Sequence, residues 1–118
     1  MIIKILIPVF NDWQSVFKLL DEINSILSNI KEEVSVVIVN DASNHDRPDE
    51  NKEFENISSI KILNMKINQG HTRCIGTGLK YIFEKEEFDY VIPMDGDGED
   101  RPQEIKEFIN QINFLENK

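Results

Sequence analysis

The sequence predicts an α/β domain: a mostly parallel sheet of about four strands with helices on both faces. Three observations point to it. Four apolar runs, rich in Ile and Val, recur along the chain. Between and after them lie stretches that read as helices, most with apolar residues at helical spacing. The 118 residues hold no repeat, low-complexity tract or Pro/Gly-rich linker, so a single domain, 1–118, accounts for the length. Apolar strands alternating with helices assemble as parallel units, because each crossover packs back over a face of the sheet.

Ile2 to Ile7, interrupted only by Lys4, is the first strand. Asp12 is placed to cap a first helix, whose stripe is Val16, Leu19, Leu20, Ile23, Ile26, Leu27 and Ile30. The β-branched run Val34 to Val39 is the second strand, ended by the polar turn Asn40-Asp41-Ala42-Ser43-Asn44. The charged stretch Asp46 to Asn56 is expected to form a short helix. Ile60 to Met65 is the third strand. The next helix runs from about Gly70 to Glu86, with Ile75, Leu79, Ile82 and Phe83 on one face. Gly76 and Gly78 lie inside it, where each costs up to about 1 kcal/mol; close helix-to-sheet packing is a reason to keep them. Tyr90 to Met94 is the fourth strand. Pro102 suits the first turn of a last helix, with the stripe Ile105, Phe108, Ile109, Ile112 and Leu115. The architecture is a doubly wound, Rossmann-like sheet.

A formal net charge of −9 argues against nucleic acid or an anionic membrane surface as a partner, since both attract basic patches. It also disfavours an anionic nucleotide unless a bound dication reverses the local field. Cys74 is the only cysteine. That excludes an intrachain disulfide and makes a reducing, cytoplasmic setting the default expectation; Cys74 itself reads as a small apolar core residue. No apolar run reaches the roughly 20 residues needed to cross a bilayer. The apolar start Met1 to Pro8 has no basic leader or small-residue cleavage site, so it reads as a strand and not a signal peptide.

In such a sheet ligands bind outside the carboxyl ends of the strands. The segments that follow the four strands are Pro8-Val9-Phe10-Asn11-Asp12, Asn40-Asp41-Ala42-Ser43, Asn68-Gln69-Gly70-His71 and Asp95-Gly96-Asp97-Gly98-Glu99-Asp100. All four are polar or rich in small residues, and all fall on one rim. The opposite connections, Asn29 to Glu33 and Lys85 to Asp89, read as solvated loops.

The acidic segment is the sharpest signal. Four carboxylates in six residues repel one another unless protonated or metal-bound, and oxygen donors suit hard cations such as Mg²⁺ or Mn²⁺. A solvated turn followed by helix-start carboxylates is the plainer reading, and it suits Asp100 and Glu104 well. Asp12 has a plain reading as a helix cap, and Asp41 as an Asx-type turn. Gly70 precedes a helix whose first turn holds His71, Thr72 and Arg73, a candidate phosphate site.

Taken in order, these segments resemble the motifs of family 2 glycosyltransferases of the GT-A type, in particular dolichol-phosphate-mannose-synthase-like members. Ile7-Pro8-Val9-Phe10-Asn11-Asp12 resembles their opening I-P-V-[YF]-N-E/D. Val37-Ile38-Val39-Asn40-Asp41-Ala42-Ser43 resembles V-D-D-G/A-S, with Asn40 at the first acidic position. The run from Asn68 to Leu79 is similar to N-x-G-H-x-R-A-I-x-x-G-L. The run from Met94 to Pro102 is similar to the D-x-D motif and the E/Q-D-x-P that follows it.

The resemblance implies a GT-A nucleotide-binding half. Pro8, Phe10 and Asp12 would line the base and ribose, and Asp41 would accept a hydrogen bond from the base. Gly70, His71 and Arg73 would lie near the ribose or diphosphate. Asp95 would touch ribose or metal, Asp97 would hold the metal, and Glu99 would add a ligand. The implied donor is a UDP- or GDP-sugar, bridged by Mg²⁺ or Mn²⁺, with a saccharide or lipid-linked acceptor at the cytoplasmic membrane face. In the family an acceptor-binding half follows and supplies the general base. The expectation is therefore a chain that supplies the donor and metal site, turns over little alone, and works with a partner chain or a second copy.

Three rival functions stand beside this one. A non-catalytic nucleotide-binding module would bind donor and never transfer sugar. A phosphoacceptor receiver domain needs an Asp after the third strand, where this chain has Met65-Lys66-Ile67-Asn68, and a fifth strand. A purely structural protein leaves the four-segment rim unexplained.

Overall fold

The computed structural model describes residues 1–44, 53–95 and 102–116. Along the chain come β1 (Ile2–Val9), α1 (Trp13–Ile26), β2 (Glu33–Asn40), β3 (Ile60–Asn64), α2 (His71–Lys85), β4 (Tyr90–Pro93) and α3 (Gln103–Glu116). The sheet order is β3-β2-β1-β4 and every ladder is parallel. The expected α/β class and the four strands are both present. β1 and β2 pair over their full length, from Ile2 opposite Glu33 to Val9 opposite Asn40.

The alternation of side chains along the strands divides the core in two. Ile3, Ile5 and Ile7 of β1 and Val34, Val36 and Ile38 of β2 face α1 and α3, where they meet Trp13, Val16, Leu20, Ile23, Ile105 and Ile109. Leu6, Val37 and Val39 face α2 and meet Cys74 and Ile82. Both faces are thus covered, which is why β1 and β2 are apolar almost throughout. Lys4 is the exception in β1. It is buried on the α2 side, with Nζ 3.9 Å from a Glu86 carboxylate that Lys61 holds at 2.9 Å.

Gly78 permits this approach of helix to sheet. A methyl group added there would collide with Leu6 and stand 3.0 Å from Val39 Cγ2, whereas one added at Gly76 would meet nothing within 4 Å. Close packing therefore accounts for Gly78 and not for Gly76.

Three expectations need correction. The helix expected over Asp46 to Asn56 lies partly outside the described residues. The part that is described, 53–56, is not helical: Phe54 and Ile57 pack into the α1 side of the core, and Asn56 bonds to Asn24 of α1 through both its backbone and side-chain nitrogens, at 2.8 Å each. The buried face of α2 is Cys74, Gly78 and Ile82; Leu79 and Phe83 are 40% and 78% exposed. Leu115, expected in the buried stripe of α3, is exposed as well. Among the described residues no helix is long and apolar enough to cross a membrane.

Candidate functional site

The strand order defines where a ligand can enter. The chain winds outward from β1 through β2 to β3, then returns to place β4 on the other side of β1. The connection from β3 to β4 runs through α2 on one face, while α1 and α3 cover the other. The direction of winding reverses between β1 and β4, and the crevice outside their carboxyl ends is the general ligand position in such sheets. A cavity of about 400 Å³ lies there, lined by Pro8, Val9, Phe10, Asp12, Val16, His71 and Asp95. Five of these residues, Pro8, Phe10, Asp12, His71 and Asp95, carry the sequence expectations. Val9 and Val16 were not singled out for the site. Val9 stands within the opening rim segment and Val16 begins the first helical stripe, and neither carried a ligand expectation of its own.

The wall from β1 turns sharply into α1. Asn11 takes a left-handed backbone conformation, φ 65°, which Asn tolerates better than most residues. Asp12 caps α1 by accepting the Ser15 N–H at 3.3 Å. This turn is tied to the one after β2. Asn11 N–H donates to Ser43 Oγ at 2.9 Å, and Asn44 N–H donates to Asn11 Oδ1 at 2.7 Å. Ser43 in turn donates to Asn40 Oδ1 from both its N–H, at 3.1 Å, and its hydroxyl, at 2.5 Å. Asn40 Nδ2 then reaches Asn64 Oδ1 of β3 at 3.0 Å. The side chain at the first acidic position of the second motif thus joins two strand ends, a task that takes a donor and an acceptor on one side chain.

Asp41 lies beneath this rim, only 4% exposed. Its carboxylate accepts the Gln69 N–H at 2.8 Å and the Gly70 N–H at 2.9 Å. Burial pushes the Asp41 carboxyl up, but the two backbone N–H groups and the Cys74 thiol outweigh it and hold it below the ordinary carboxylate range. The same environment acts on Cys74: burial and the neighbouring Asp41 raise its thiol to about 11, so it stays protonated and unreactive at neutral pH.

Gly70, with φ 94°, precedes α2. His71 follows it, and its Nε2 lies 3.0 Å from Asp95 Oδ1; both side chains are about half exposed. The β3–α2 and β4 rims therefore meet in the cavity. Arg73 lies one residue-pair further along α2, exposed, with Nη1 3.4 Å from Gln69 Oε1, and is not part of the lining.

Of the three expected metal ligands, Asp97 and Glu99 lie outside the described residues. Asp95 sits at the end of β4 and presents a partly exposed carboxylate, the hard oxygen donor that Mg²⁺ or Mn²⁺ takes. Among the described residues, no three His, Cys, Asp or Glu side chains gather into a metal-holding group. Asp95 is thus the one expected ligand that falls among the described residues.

The profile of glycosyl transferase family 2 matches residues 4–117. An uncharacterized protein of Methanocaldococcus jannaschii is 24% identical over 109 residues, which make up 91% of this chain and 45% of that protein. The chain therefore spans less than half the length of this curated relative.

Proposed function

We propose, from the premise that the chain belongs to glycosyl transferase family 2, that its cavity binds the nucleotide-diphosphate sugar donor of a glycosyl transfer. The observation that carries this reading is the convergence at the winding reversal: Pro8, Phe10 and Asp12 from one segment, His71 from another and Asp95 from a third line one cavity.

The parts suit such a donor. Phe10 is 45% exposed, so its ring has surface to offer a base, and Pro8 and Val9 add apolar lining to the same cavity. Asp12 has carboxylate capacity beyond its one capping bond to accept ribose hydroxyls. His71 and Arg73 bring the donor groups of the α2 start toward the diphosphate. Asp95, with Asp97 and Glu99, would hold Mg²⁺ or Mn²⁺. Such an ion supplies positive charge against the diphosphate and stabilises the departing nucleotide. It also answers the electrostatic objection: a diphosphate approaching a chain of net charge −9 and a carboxylate-lined cavity meets repulsion that a dication reverses. The acceptor, a saccharide or a lipid-linked hydroxyl compound, and the general base are left to the rest of a longer enzyme or to a partner chain.

Calorimetric titration with UDP and with GDP, in Mn²⁺ and then in EDTA, tests the reading. One nucleotide is expected to bind only with metal, and Asp97→Asn is expected to abolish that binding. A folded protein that binds neither nucleotide overturns it. A non-catalytic nucleotide-binding module shares the same site; sugar transfer by the protein joined to an acceptor half separates the two.

A further inference from the structure

One buried charge is not accounted for by the cavity. Asp41 does not line it, yet a carboxylate removed from water costs several kcal/mol unless fully hydrogen-bonded. Here the donors are the N–H groups of Gln69 and Gly70 and the thiol of Cys74. Successive backbone N–H groups that converge in this way make an anion-binding concavity. In many proteins a ligand phosphate fills such a concavity; in this chain a carboxylate from the neighbouring strand end fills it. Gly70 makes the turn possible, since its φ of 94° is strained for any residue with a side chain. The rest of residue 41 is equally committed: its own N–H donates to Val9 O at 2.8 Å, and its carbonyl accepts Asn68 Nδ2 at 3.3 Å. One residue therefore joins the ends of β1 and β2 to the start of α2.

We propose that Asp41 is a positioning residue, which fills the Gln69–Gly70 concavity from inside and so fixes the first turn of α2, and His71 with it, against Asp95. The inference rests on the donor-site reading for what is positioned, and goes beyond it in assigning the clamp. The two N–H groups of the turn are occupied, so a donor diphosphate is held by His71, Arg73 and the cation, not by the Gly70 turn.

The test uses the full polypeptide and amide NMR. In the wild type the Gln69 and Gly70 amide protons are expected downfield and slow to exchange, the mark of charge-assisted bonds. Asp41→Ala should lose both signatures, and sodium formate, a carboxylate small enough for the vacated space, should restore them where sodium chloride does not. The wild type, with its concavity filled, should not respond to formate. A folded Asp41→Ala protein that ignores formate, or a wild type that responds equally, overturns the clamp. Should Asp41→Ala not fold, the isosteric Asp41→Asn decides. Its Gln69 and Gly70 amides should move upfield, its His71 ring signals should shift, and its affinity for the nucleotide that the wild type binds should fall about tenfold, the loss expected for one charge-assisted hydrogen bond. Unchanged His71 signals and unchanged affinity overturn the positioning role. If the wild type binds neither UDP nor GDP, the donor reading falls, and the amide, formate and His71 signals still decide the clamp.

Discussion

Gly78 of α2 lies directly against Leu6 of β1, so close that a single added methyl group would overlap the Leu6 side chain and press on Val39. Both partners are fully buried strand residues on the α2 face, so the added methyl group has to displace packed core side chains. Gly78→Ala is therefore expected to destabilise the fold by about 1–3 kcal/mol, the usual cost of overpacking, despite the better helix propensity of Ala. Gly76→Ala, two residues away in open space, should instead stabilise by up to about 1 kcal/mol. Urea denaturation of the two variants checks the opposite signs.

Acid should probe the Asp41 clamp. The carboxyl of Asp41 is held below its ordinary value in the folded protein, so its contribution to stability is full above the unfolded pKa of about 4 and is lost as pH falls through the lower folded value. Glu32 adds to the same acid loss, because a hydrogen bond from Asn113, 2.8 Å away, lowers its carboxyl as well. The Asp41 share is therefore read as a difference. Asp41→Asn is expected to be about 1.5–3 kcal/mol less stable than wild type at neutral pH, with the gap closing below about pH 4. Equal gaps at pH 7 and pH 3 would assign the lowered carboxyl to another residue.

How far the sequence carried these conclusions depended on the range of the interaction. The four strands could be read to within about a residue or two: β1 and β2 because a strand buried on both faces leaves a nearly continuous apolar run, and β3 and β4, which are only partly buried, because each keeps a short apolar run. The rim could be read because parallel topology puts every strand's carboxyl end on one edge. The buried face of α2 could not. Ile75, Leu79, Ile82 and Phe83 share a helical stripe, yet the residues buried against the sheet are Cys74, Gly78 and Ile82, with Ile75 partly covered and Leu79 and Phe83 exposed; where the neighbouring surface ends is a tertiary fact. Asp41 was legible as a rim residue but not as a clamp, since its partners lie 28 and 29 residues away. Asn40 likewise looked like a departure from the acidic motif, until Ser43 and Asn64 appeared at its two ends.

That misread face gives its own prediction. Phe83 is largely exposed, with its ring centroid 5.9 Å from that of Phe88, whereas Ile82 beside it is fully buried. Ile82→Ala is expected to cost about 2–5 kcal/mol, and Phe83→Ala less than about 1 kcal/mol. A thermal-unfolding series with both variants distinguishes this arrangement from the one periodicity alone suggests, in which Phe83 would be the costlier loss.

The cavity itself is best tested where stability and binding come apart. Phe10 projects nearly half its surface to solvent and is outside both core clusters, so Phe10→Ala should leave the unfolding midpoint almost unchanged. If its ring supports the nucleotide base, the same change should weaken nucleotide binding about tenfold, in keeping with the roughly 1–3 kcal/mol that base–aromatic stacking contributes. Asp95→Asn acts at the opposite end of the cavity. It removes charge next to His71 and one hard oxygen donor, so its loss should depend on the cation: large in Mn²⁺, and absent in EDTA, where the wild type is expected not to bind either. Phe10→Ala, by contrast, should lower affinity by the same factor at every Mn²⁺ concentration that supports binding. A calorimetric series across Mn²⁺ concentrations separates the two, and a metal-independent loss in Asp95→Asn would assign that carboxylate to the ribose instead of the ion.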